Sequence, residues 1–401
     1  MRRQRILSVI NSLYFGGAEC RLLSLSRCID RDRFDQRVLT LKAPDPDRER
    51  SLGSLRPHFA AAHIAVDDLG EQAPALGRAH GTAVKVARSV PRLARTLAKL
   101  RAYIREHGID VVDTHTGTAN QIGIAAALLS NRPVVATTYG LEVFRPLWAW
   151  RSSEAAMFGA ASAIVTDSEP VAAQVRRKLL RAKDVFVIPN GIAPPQTQRS
   201  REEMHARLGI PLGRRVRVIG QVGSLTPRKG HLILLEAAGR LARTDPDVHF
   251  LICGYARGWP EYERALRART EELRLERQVH FVEYPGQIGD VYSAIDLQVH
   301  ASTEESLPQA IIEGMALAKP AVVTAIAGIP AMVLDGESGL VVPPNDAQAL
   351  ANALTRLLRD EPLAVRLGES AQQRYLAGYT DLQMARRLEE VFAGVALPAA
   401  A

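Results

Sequence analysis

Cysteine and aromatic residues are scarce in this sequence, and long hydrophobic runs are missing. Its three cysteines, Cys20, Cys28 and Cys253, lack the spacing of metal ligands, and their odd number argues against the disulfide framework of a secreted domain. The apolar stretch Ile6–Ile10 is too short for a signal-peptide core and predicts a strand. No run approaches the roughly 20 apolar residues of a membrane-spanning helix. We therefore expect a cytoplasmic protein, with any membrane association peripheral on the inner face of the cytoplasmic membrane.

Positive charge exceeds negative charge along the chain of 401 residues. The 51 Lys and Arg outnumber the 43 Asp and Glu, which gives a formal net charge of +8. This excess favours an anionic partner, whether a nucleotide, a phospholipid surface or a nucleic acid. Aromatic residues make up only 5% of the chain and do not interleave with the bases as stacking platforms would, which argues against nucleic acid.

Short β-rich runs alternate with helical patterns throughout, which indicates parallel α/β architecture. A proline-rich, polar break at Pro189–Ser200 predicts a linker between two Rossmann-like domains. We place the first domain at 1–195, together with a C-terminal helix at about 378–401 that crosses back to it, and the second domain at 196–377. The predicted strands of the first domain are Ile6–Ile10, Arg37–Leu41, Val111–Thr114, Val134–Thr138, Ala163–Thr166 and Val185–Ile188. Those of the second are Val216–Val222, Val248–Cys253, Val279–Val282, Leu297–His300, Ala321–Thr324 and Leu340–Val342.

Two carboxylates, Glu305 and Glu313, lie in a segment that directly follows a predicted strand of the second domain. We expect a helix to begin near Leu307, between Ser306 and Pro308, so that its free backbone N–H groups form an anion site suited to a diphosphate. Glu305 would then lie close to a sugar attached to that phosphate, and Glu313 close to ribose hydroxyls. The alternative is that Glu305 caps the helix and Glu313 forms an ordinary surface ion pair.

A glycine-rich loop from Gly223 to Gly230 follows the first strand of the second domain. Glycine permits close backbone approach, and Arg228 and Lys229 supply cationic donors for phosphate oxygens. The loop is not a P-loop, because in that motif the lysine follows the glycine and precedes Ser or Thr. A tight turn carrying two solvated bases is the alternative interpretation.

Two features of the first domain lie at predicted strand ends. Gly16 and Gly17 precede a helix and would let a ligand approach its N-terminus, although the G-x-G-x-x-G spacing of a dinucleotide site is absent. His115 follows another strand, at the edge where ligands bind in open α/β sheets. A lone histidine is more often structural than catalytic, but its position at this edge favours a functional role, so both interpretations stay open.

Basic residues dominate the segment from Val84 to Arg105, and no acidic residue interrupts them. Its apolar side chains recur at helical spacing and should pack on the first sheet. The basic stripe is either a solvated face or a surface that contacts anionic membrane. The residues of this predicted basic helix are Lys85, Arg88, Arg92, Arg95, Lys99, Arg101 and Arg105.

Taken together, these motifs resemble the retaining nucleotide-sugar glycosyltransferases of the GT-B fold, specifically glycosyltransferase family 4. The match is densest between Gly220 and Leu358 and includes a junction segment at Val187–Ile192. The resemblance implies two Rossmann-like domains that face each other across a cleft. Its further motifs are Gly223–Gly230, Glu305–Ala316, Lys319–Pro320, Ala327–Pro330 and Gly336–Val342.

The resemblance also implies roles for particular residues. Glu305 would contact the donor sugar, Glu313 the ribose, and Lys229 the diphosphate. Ser224 stands where the family often has Arg, so one phosphate contact is either missing or replaced by Arg228. In the first domain, Gly16 and Gly17 would border the donor phosphates and the acceptor, and His115 would lie beside the reacting sugar. The acceptor loop would include 141–151, with Trp148 and Trp150.

The expected function is retaining hexosyl transfer from a UDP or GDP sugar to a saccharide or lipid-linked saccharide, in cell-surface polysaccharide or glycolipid synthesis. We expect that neither a metal nor another cofactor is required. A dedicated base need not exist either, because the leaving phosphate can help to deprotonate the acceptor. A sugar-nucleotide epimerase of the same fold and a non-enzymatic module that binds anionic surfaces are the alternatives. The sequence does not identify the donor, the acceptor or the linkage.

Overall fold

A computed structural model describes residues 2–70, 83–139, 155–179, 183–213, 215–256 and 258–395, without the side chains of 51–52 and 83–90. The chain divides into two compact units. Unit 1 contains the residues up to Gly191 and those from Asp381 onward, and unit 2 spans Ile192–Thr380. The chain therefore passes from one unit to the other at 191–192 and again at 380–381, whereas the domain boundaries expected from the sequence were 195–196 and 377–378.

Unit 1 is built on a parallel sheet that has seven strands in the described residues, in the order β3-β2-β1-β4-β5-β6-β7. All six strands predicted for this part of the chain are present, and β3 is an additional edge strand. The order reverses direction between β1 and β4, which is the switch point of a doubly wound fold. The strands are β1 Gln4–Ile10, β2 Phe34–Thr40, β3 Ala65–Asp68, β4 Val111–His115, β5 Val134–Thr138, β6 Ala163–Thr166 and β7 Val185–Val187.

Helices cover both faces of this sheet. Leu7 and Val9 of β1 face the core that contains α4 and α5, whereas Ile6 and Ile10 face the core that contains α1 and α16. This alternation explains why the strands are apolar on both sides. The C-terminal helix therefore belongs to unit 1, as predicted. The helices are α1 Gly17–Cys28, α2 Pro46–Leu52, α3 Arg56–Ala61, α4 Ala83–Glu106, α5 Gly117–Leu129, α6 155–160, α7 Glu169–Lys178 and α16 Asp381–Val395.

Unit 2 repeats the plan with a parallel sheet that has six strands in the described residues, ordered β10-β9-β8-β11-β12-β13. Every strand predicted for this half is confirmed. One face packs on α9 and α14 and the other on α8 and α11. The strands are β8 Arg217–Val222, β9 Val248–Cys253, β10 Val279–Val282, β11 Leu297–His300, β12 Ala321–Thr324 and β13 Leu340–Val342.

The helices of unit 2 follow the strands in the usual β-α alternation. A short 3₁₀ helix, Pro227–Lys229, precedes α9. The α-helices are α8 Arg201–Leu208, α9 His231–Leu241, α10 Pro260–Glu272, α11 Ile288–Ala294, α12 Gln309–Ala316, α13 Ile329–Met332, α14 Ala347–Arg359 and α15 Glu361–Gly378. Because β8 and β11 are neighbours, the loops that follow them emerge side by side at the carboxyl edge of the sheet.

Candidate functional site

The loop after β8 is held against the loop after β11 through their backbones. Gly230 has φ +67°, and a Cβ at this position would overlap the Ala301 carbonyl oxygen. Gly223, with φ +149°, likewise occupies a conformation that favours glycine. The Gln221 amide donates to the Lys229 carbonyl oxygen at 2.7 Å. Glycine is thus required where the two loops meet, and Lys229 is fixed at its backbone.

The loop after β11 carries Glu305 into α12. The Thr303 N–H donates to the Arg228 carbonyl oxygen at 2.8 Å, and the Gly328 N–H donates to the Ser306 carbonyl oxygen at 3.2 Å. Pro308 occupies the N-cap position with φ −70° and ψ 123°, so α12 begins at Gln309 and not near Leu307 as predicted. Hydrogen bonds to neighbouring loops therefore keep this segment non-helical for two residues longer than its sequence suggests.

Glu305, Lys229 and Arg228 form one ion-paired cluster. The Glu305 carboxylate contacts the Lys229 ammonium, and the Arg228 guanidinium lies 3.1 Å from the same carboxylate oxygen. The side chains of Lys229 and Glu305 are 10% and 9% exposed, whereas that of Arg228 is 48% exposed. A buried ammonium needs a counter-charge, and Glu305 supplies it here. Ser224 is partly buried in the same β8 loop.

Glu313 lies in the second turn of α12, inside the unit. Burial raises the pKa of its carboxyl to about 7, while a hydrogen bond with Tyr292 and the charge of Lys229 act in the opposite direction. Burial, and next the negative charge of Glu313, raises the pKa of the Cys253 thiol to about 12. At neutral pH the Glu313 carboxyl is therefore only partly ionised, and hydrogen-bond donors that approach it would favour the ionised form.

Two buried histidines that the sequence did not single out lie close to Lys229. Burial, followed by the positive charge of Lys229, lowers the pKa of His231 and of His300 to about 3. Within the described residues, Nε2 of His300 has no hydrogen-bond partner. Both imidazoles are therefore neutral at physiological pH and add no positive charge to the cluster. In the sequence each of these histidines adjoins an apolar run, so no pattern indicated that it would lie close to Lys229.

In unit 1, His115 lies in a buried hydrogen-bonded chain at the end of β4. Its Nε2 lies 2.7 Å from the Asp113 carboxylate, and its Nδ1 lies 2.8 Å from the Tyr139 hydroxyl. The same Asp113 oxygen accepts a hydrogen bond from the Ser8 hydroxyl at 3.0 Å. Burial raises the pKa of Tyr139 above its usual range. Both ring nitrogens are occupied, so the orientation of the imidazole is fixed, and its role beside a reacting sugar stays a prediction.

Gly16 and Gly17 begin α1. Gly16 is the N-cap, and a Cβ on Gly17 would meet no atom within 4 Å, so space is open above the first turn. A Cβ on Gly16 would overlap the carboxylate of Glu19, which folds back over the start of the helix. Only Gly17 therefore leaves open space at the start of α1, and the predicted contact of Gly16 and Gly17 with phosphate or acceptor stays a prediction.

The basic helix corresponds to α4. Leu100 and Ile104 are in the core of unit 1, and Leu93 and Leu97 pack against it, which confirms the apolar stripe. The exposed bases are Arg92, Arg95, Lys99 and Arg105, while Arg101 is partly buried and donates to the Leu129 carbonyl oxygen at 3.0 Å. The side chains of Lys85 and Arg88 lie outside the described part of the chain, as do residues 141–151 with Trp148 and Trp150.

Two further observations bear on cofactors and membranes. Across the described ranges, no group of three or more His, Cys, Asp or Glu side chains is arranged to hold a metal ion. Among the same residues, no helix has both the length and the apolar character needed to cross a bilayer.

Solved structures share this architecture across almost the entire chain. HepE from Anabaena, solved with UDP and glucose, matches with a TM-score of 0.80 and 23% identity, over 98% of this chain and 100% of that one. Sucrose-phosphate synthase from Thermosynechococcus elongatus matches with a TM-score of 0.77 and 23% identity, over 98% and 100% of the two chains. Two Rossmann-like units with parallel sheets thus define a GT-B fold, one of the folds found among nucleotide-sugar glycosyltransferases.

Sequence comparisons identify the family. The model "Glycosyltransferase Family 4" matches residues 15–195, and "Glycosyl transferases group 1" matches residues 200–374. A D-inositol 3-phosphate glycosyltransferase of Corynebacterium urealyticum is 30% identical over 323 residues, covering 75% of this chain and 76% of that protein. An alpha-maltose-1-phosphate synthase of Mycolicibacterium smegmatis is 29% identical over 310 residues, covering 70% and 78%. The chain belongs to the family 4, group 1 glycosyltransferases and is a glycosyltransferase that uses a nucleotide sugar.

Proposed function

We propose that this enzyme transfers a hexose from a UDP or GDP sugar to a saccharide or lipid-linked saccharide, with retention of anomeric configuration and without a metal ion. The product would enter cell-surface polysaccharide or glycolipid synthesis. The observation that carries the proposal is the convergence of Arg228, Lys229 and Glu305 at the carboxyl ends of β8 and β11. Glu313 follows in the second turn of α12.

The chemistry follows from the charges that develop as the donor bond breaks. Negative charge accumulates on the departing diphosphate, and Lys229, Arg228 and the backbone N–H groups at the start of α12 stabilise it. Oxocarbenium character develops on the sugar, close to the Glu305 carboxylate. A leaving phosphate that accepts the acceptor's proton on the same face gives retention without a dedicated base. Donor binding would therefore exchange Glu305 for phosphate as the partner of Lys229.

The proposal is tested first by donor binding and then by the Lys229→Ala variant. UDP, GDP and ADP sugars are screened by thermal shift, because a ligand that binds only the folded state raises the melting temperature. With the stabilising donor at saturation, Lys229→Ala should lower turnover by about 10²–10³-fold, since it removes one preorganised cation from the leaving group. The assay follows nucleotide release with a panel of saccharide, phosphorylated and lipid-linked acceptors.

Arg240→Ala is the matched control, because Arg240 is an exposed base at the end of α9 and lies outside the cluster. Near-normal turnover of Lys229→Ala would contradict the proposal. So would an inverted product, or loss of activity in a metal chelator. Sugar-nucleotide conversion in the absence of acceptor would identify an epimerase instead.

We further propose that α4 places the enzyme on anionic membrane, where a lipid-linked acceptor would be found. The exposed Arg92, Arg95 and Lys99 form a basic edge on this helix. Exposed bases that share one helix face with no acidic residue between them are typical of surfaces that adsorb to anionic headgroups.

Replacing Arg92, Arg95 and Lys99 by Ser should weaken binding to vesicles that contain phosphatidylglycerol by about 100-fold, at about 1 kcal/mol for each base. Vesicle co-sedimentation with and without the anionic lipid measures the effect. The control variant removes the same charge from exposed positions of unit 2, at Arg240, Arg243 and Arg359. Equal binding to neutral and anionic vesicles, or an equal loss in the control, would refute this part of the proposal.

A further inference from the structure

A tyrosine hydroxyl joins two parts of α12 from outside that helix. Tyr292 belongs to α11 and is completely buried. Its hydroxyl lies 2.5 Å from the Ala310 carbonyl oxygen and 3.3 Å from Oε2 of Glu313. One side chain therefore contacts the first turn of α12 and the carboxyl group assigned to the ribose.

The hydrogen atoms available to these three groups constrain the arrangement. A tyrosine hydroxyl has one hydrogen to donate and can also accept. When Glu313 is protonated, its O–H can donate to the Tyr292 oxygen while Tyr292 donates to Ala310. When Glu313 is ionised, the carboxylate can only accept, so the Tyr292 hydrogen must be shared with it or turned toward it. The direction of this hydrogen bond is thus linked to the charge of Glu313.

We propose that Tyr292 is a positioning residue of the donor site, which holds the Glu313 carboxyl group in place and favours its ionised form for binding a vicinal diol. The inference rests on the proposed function, because the diol is the ribose of the nucleotide sugar. An ionised carboxylate accepts two hydrogen bonds from adjacent hydroxyls, whereas a protonated one must give up an acceptor position.

The groups that face Glu313 come from three elements. Tyr292 on α11 and Lys229 on the 3₁₀ helix both lower the pKa of Glu313, which burial has raised to about 7. Cys253 at the end of β9 stays a neutral thiol, because its own pKa is raised to about 12. Loss of the Tyr292 hydroxyl would remove one of the two interactions that lower the pKa of Glu313, so this pKa would rise further.

The Tyr292→Phe variant separates positioning from packing, because the two effects depend differently on pH. If the pKa of Glu313 rises by about one unit, donor affinity should fall about tenfold at about pH 6 and be almost unchanged at about pH 9, where Glu313 is ionised in both proteins. A simple packing defect would weaken binding equally at both pH values.

The experiment is calorimetric titration of the full chain with UDP-glucose and with GDP-mannose between about pH 6 and pH 9. Neither diphosphate titrates in this range, because each is esterified at both ends. Tyr284→Phe is the matched control, since its hydroxyl donates to the carboxylate of Asp290, also on α11, at 2.6 Å and not to Glu313. Thermal melts confirm that each variant is folded.

A gap between wild type and Tyr292→Phe that closes as pH rises, with no such pattern for Tyr284→Phe, is the expected result. A gap that is constant with pH, or a similar trend in Tyr284→Phe, would overturn the assignment of Tyr292. In a Glu313→Gln background, Tyr292→Phe should have no pH-dependent effect, and persistence of that effect would also overturn it. Failure of the wild-type protein to bind any nucleotide sugar would instead count against the proposed function.

Discussion

Among single residues, Glu305 combines an observed ion pair with a proposed catalytic role, and the two would compete. Its carboxylate neutralises Lys229 and Arg228, the cations proposed to bind diphosphate. An incoming phosphate must displace this internal anion, so part of the attraction between the cations and phosphate is offset before binding. If Glu305 acts on the sugar as proposed, its ion pair with Lys229 would also weaken binding of the leaving nucleotide, which would help product release.

Glu305→Gln should bind UDP or GDP several-fold more tightly than wild type while transferring sugar more slowly. The neutral amide no longer competes with phosphate for the two cations, yet it also stabilises positive charge on the sugar less well. Calorimetry of the nucleoside diphosphate and a transfer assay give the two quantities. Glu304→Gln is the control, because Glu304 is the exposed neighbour in sequence. Weaker nucleotide binding in Glu305→Gln would refute the argument.

The sequence identified the charged members of the site but not their uncharged neighbours. Glu305, Lys229 and Arg228 stand out because charges directly after apolar strands are unusual and occupy a known ligand-binding edge. Tyr292 and His300 could not be distinguished from core residues, since each lies in an apolar run and gains its role from a contact with another element. The pairing of Glu305 with Lys229 was likewise invisible, because it depends on how two loops pack.

At the level of elements, apolar runs predicted most strands correctly but did not predict the geometry of the loops. The edge strand β3, Ala65–Asp68, was missed because its side chains are exposed or only partly buried and two of them are acidic. The start of α12 was predicted too early, because local sequence does not reveal the hydrogen bonds that keep 301–308 in an irregular loop. The junction of the β8 and β11 loops at Gly230 is the element-level feature on which the cluster depends.

Gly230→Ala should destabilise unit 2 by about 2–4 kcal/mol, because it adds both a strained positive φ and an overlap with the Ala301 carbonyl oxygen. Gly209→Ala is a matched control with φ +66° and no atom within 4 Å of the added Cβ. It should cost only about 1 kcal/mol. Urea unfolding of the two variants measures the difference. Equal losses would show that contact with Ala301 does not constrain the loop.

For the whole molecule, the sequence was sufficient to predict two Rossmann-like domains, because the β-α alternation restarts after a proline-rich break. The sequence could not predict how burial shifts the pKa values of titratable groups in unit 2. Burial lowers the pKa of His231 and His300 to about 3 and that of His280 to about 4. Glu313 shifts in the opposite sense, to about 7.

Unit 2 should lose stability as pH falls from about 6.5 to about 4.5. In this window the three histidines bind protons in the unfolded chain but not in the folded unit, whereas Glu313 binds a proton only in the folded unit. The unfolded chain therefore binds about two more protons than the folded unit. As a result, these groups lower the free energy of unfolding by about 3 kcal/mol for each unit by which the pH falls. Urea unfolding followed by hydrogen–deuterium exchange in unit 2 peptides measures this slope. Glu313→Gln should steepen it, and a flat profile would contradict the prediction.

The placement of α16 also affects how the protein is made. Met384, Leu388 and Phe392 complete a core of unit 1 whose buried residues outside α16 lie between Ile6 and Ile188, before unit 2 in the sequence. During translation the sheet of unit 1 must wait for those side chains until unit 2 and α16 have been synthesised. Unit 2, which is continuous in sequence, can reach its native state earlier although its synthesis begins later. The nascent amino-terminal half is therefore the portion most exposed to chaperones and to aggregation.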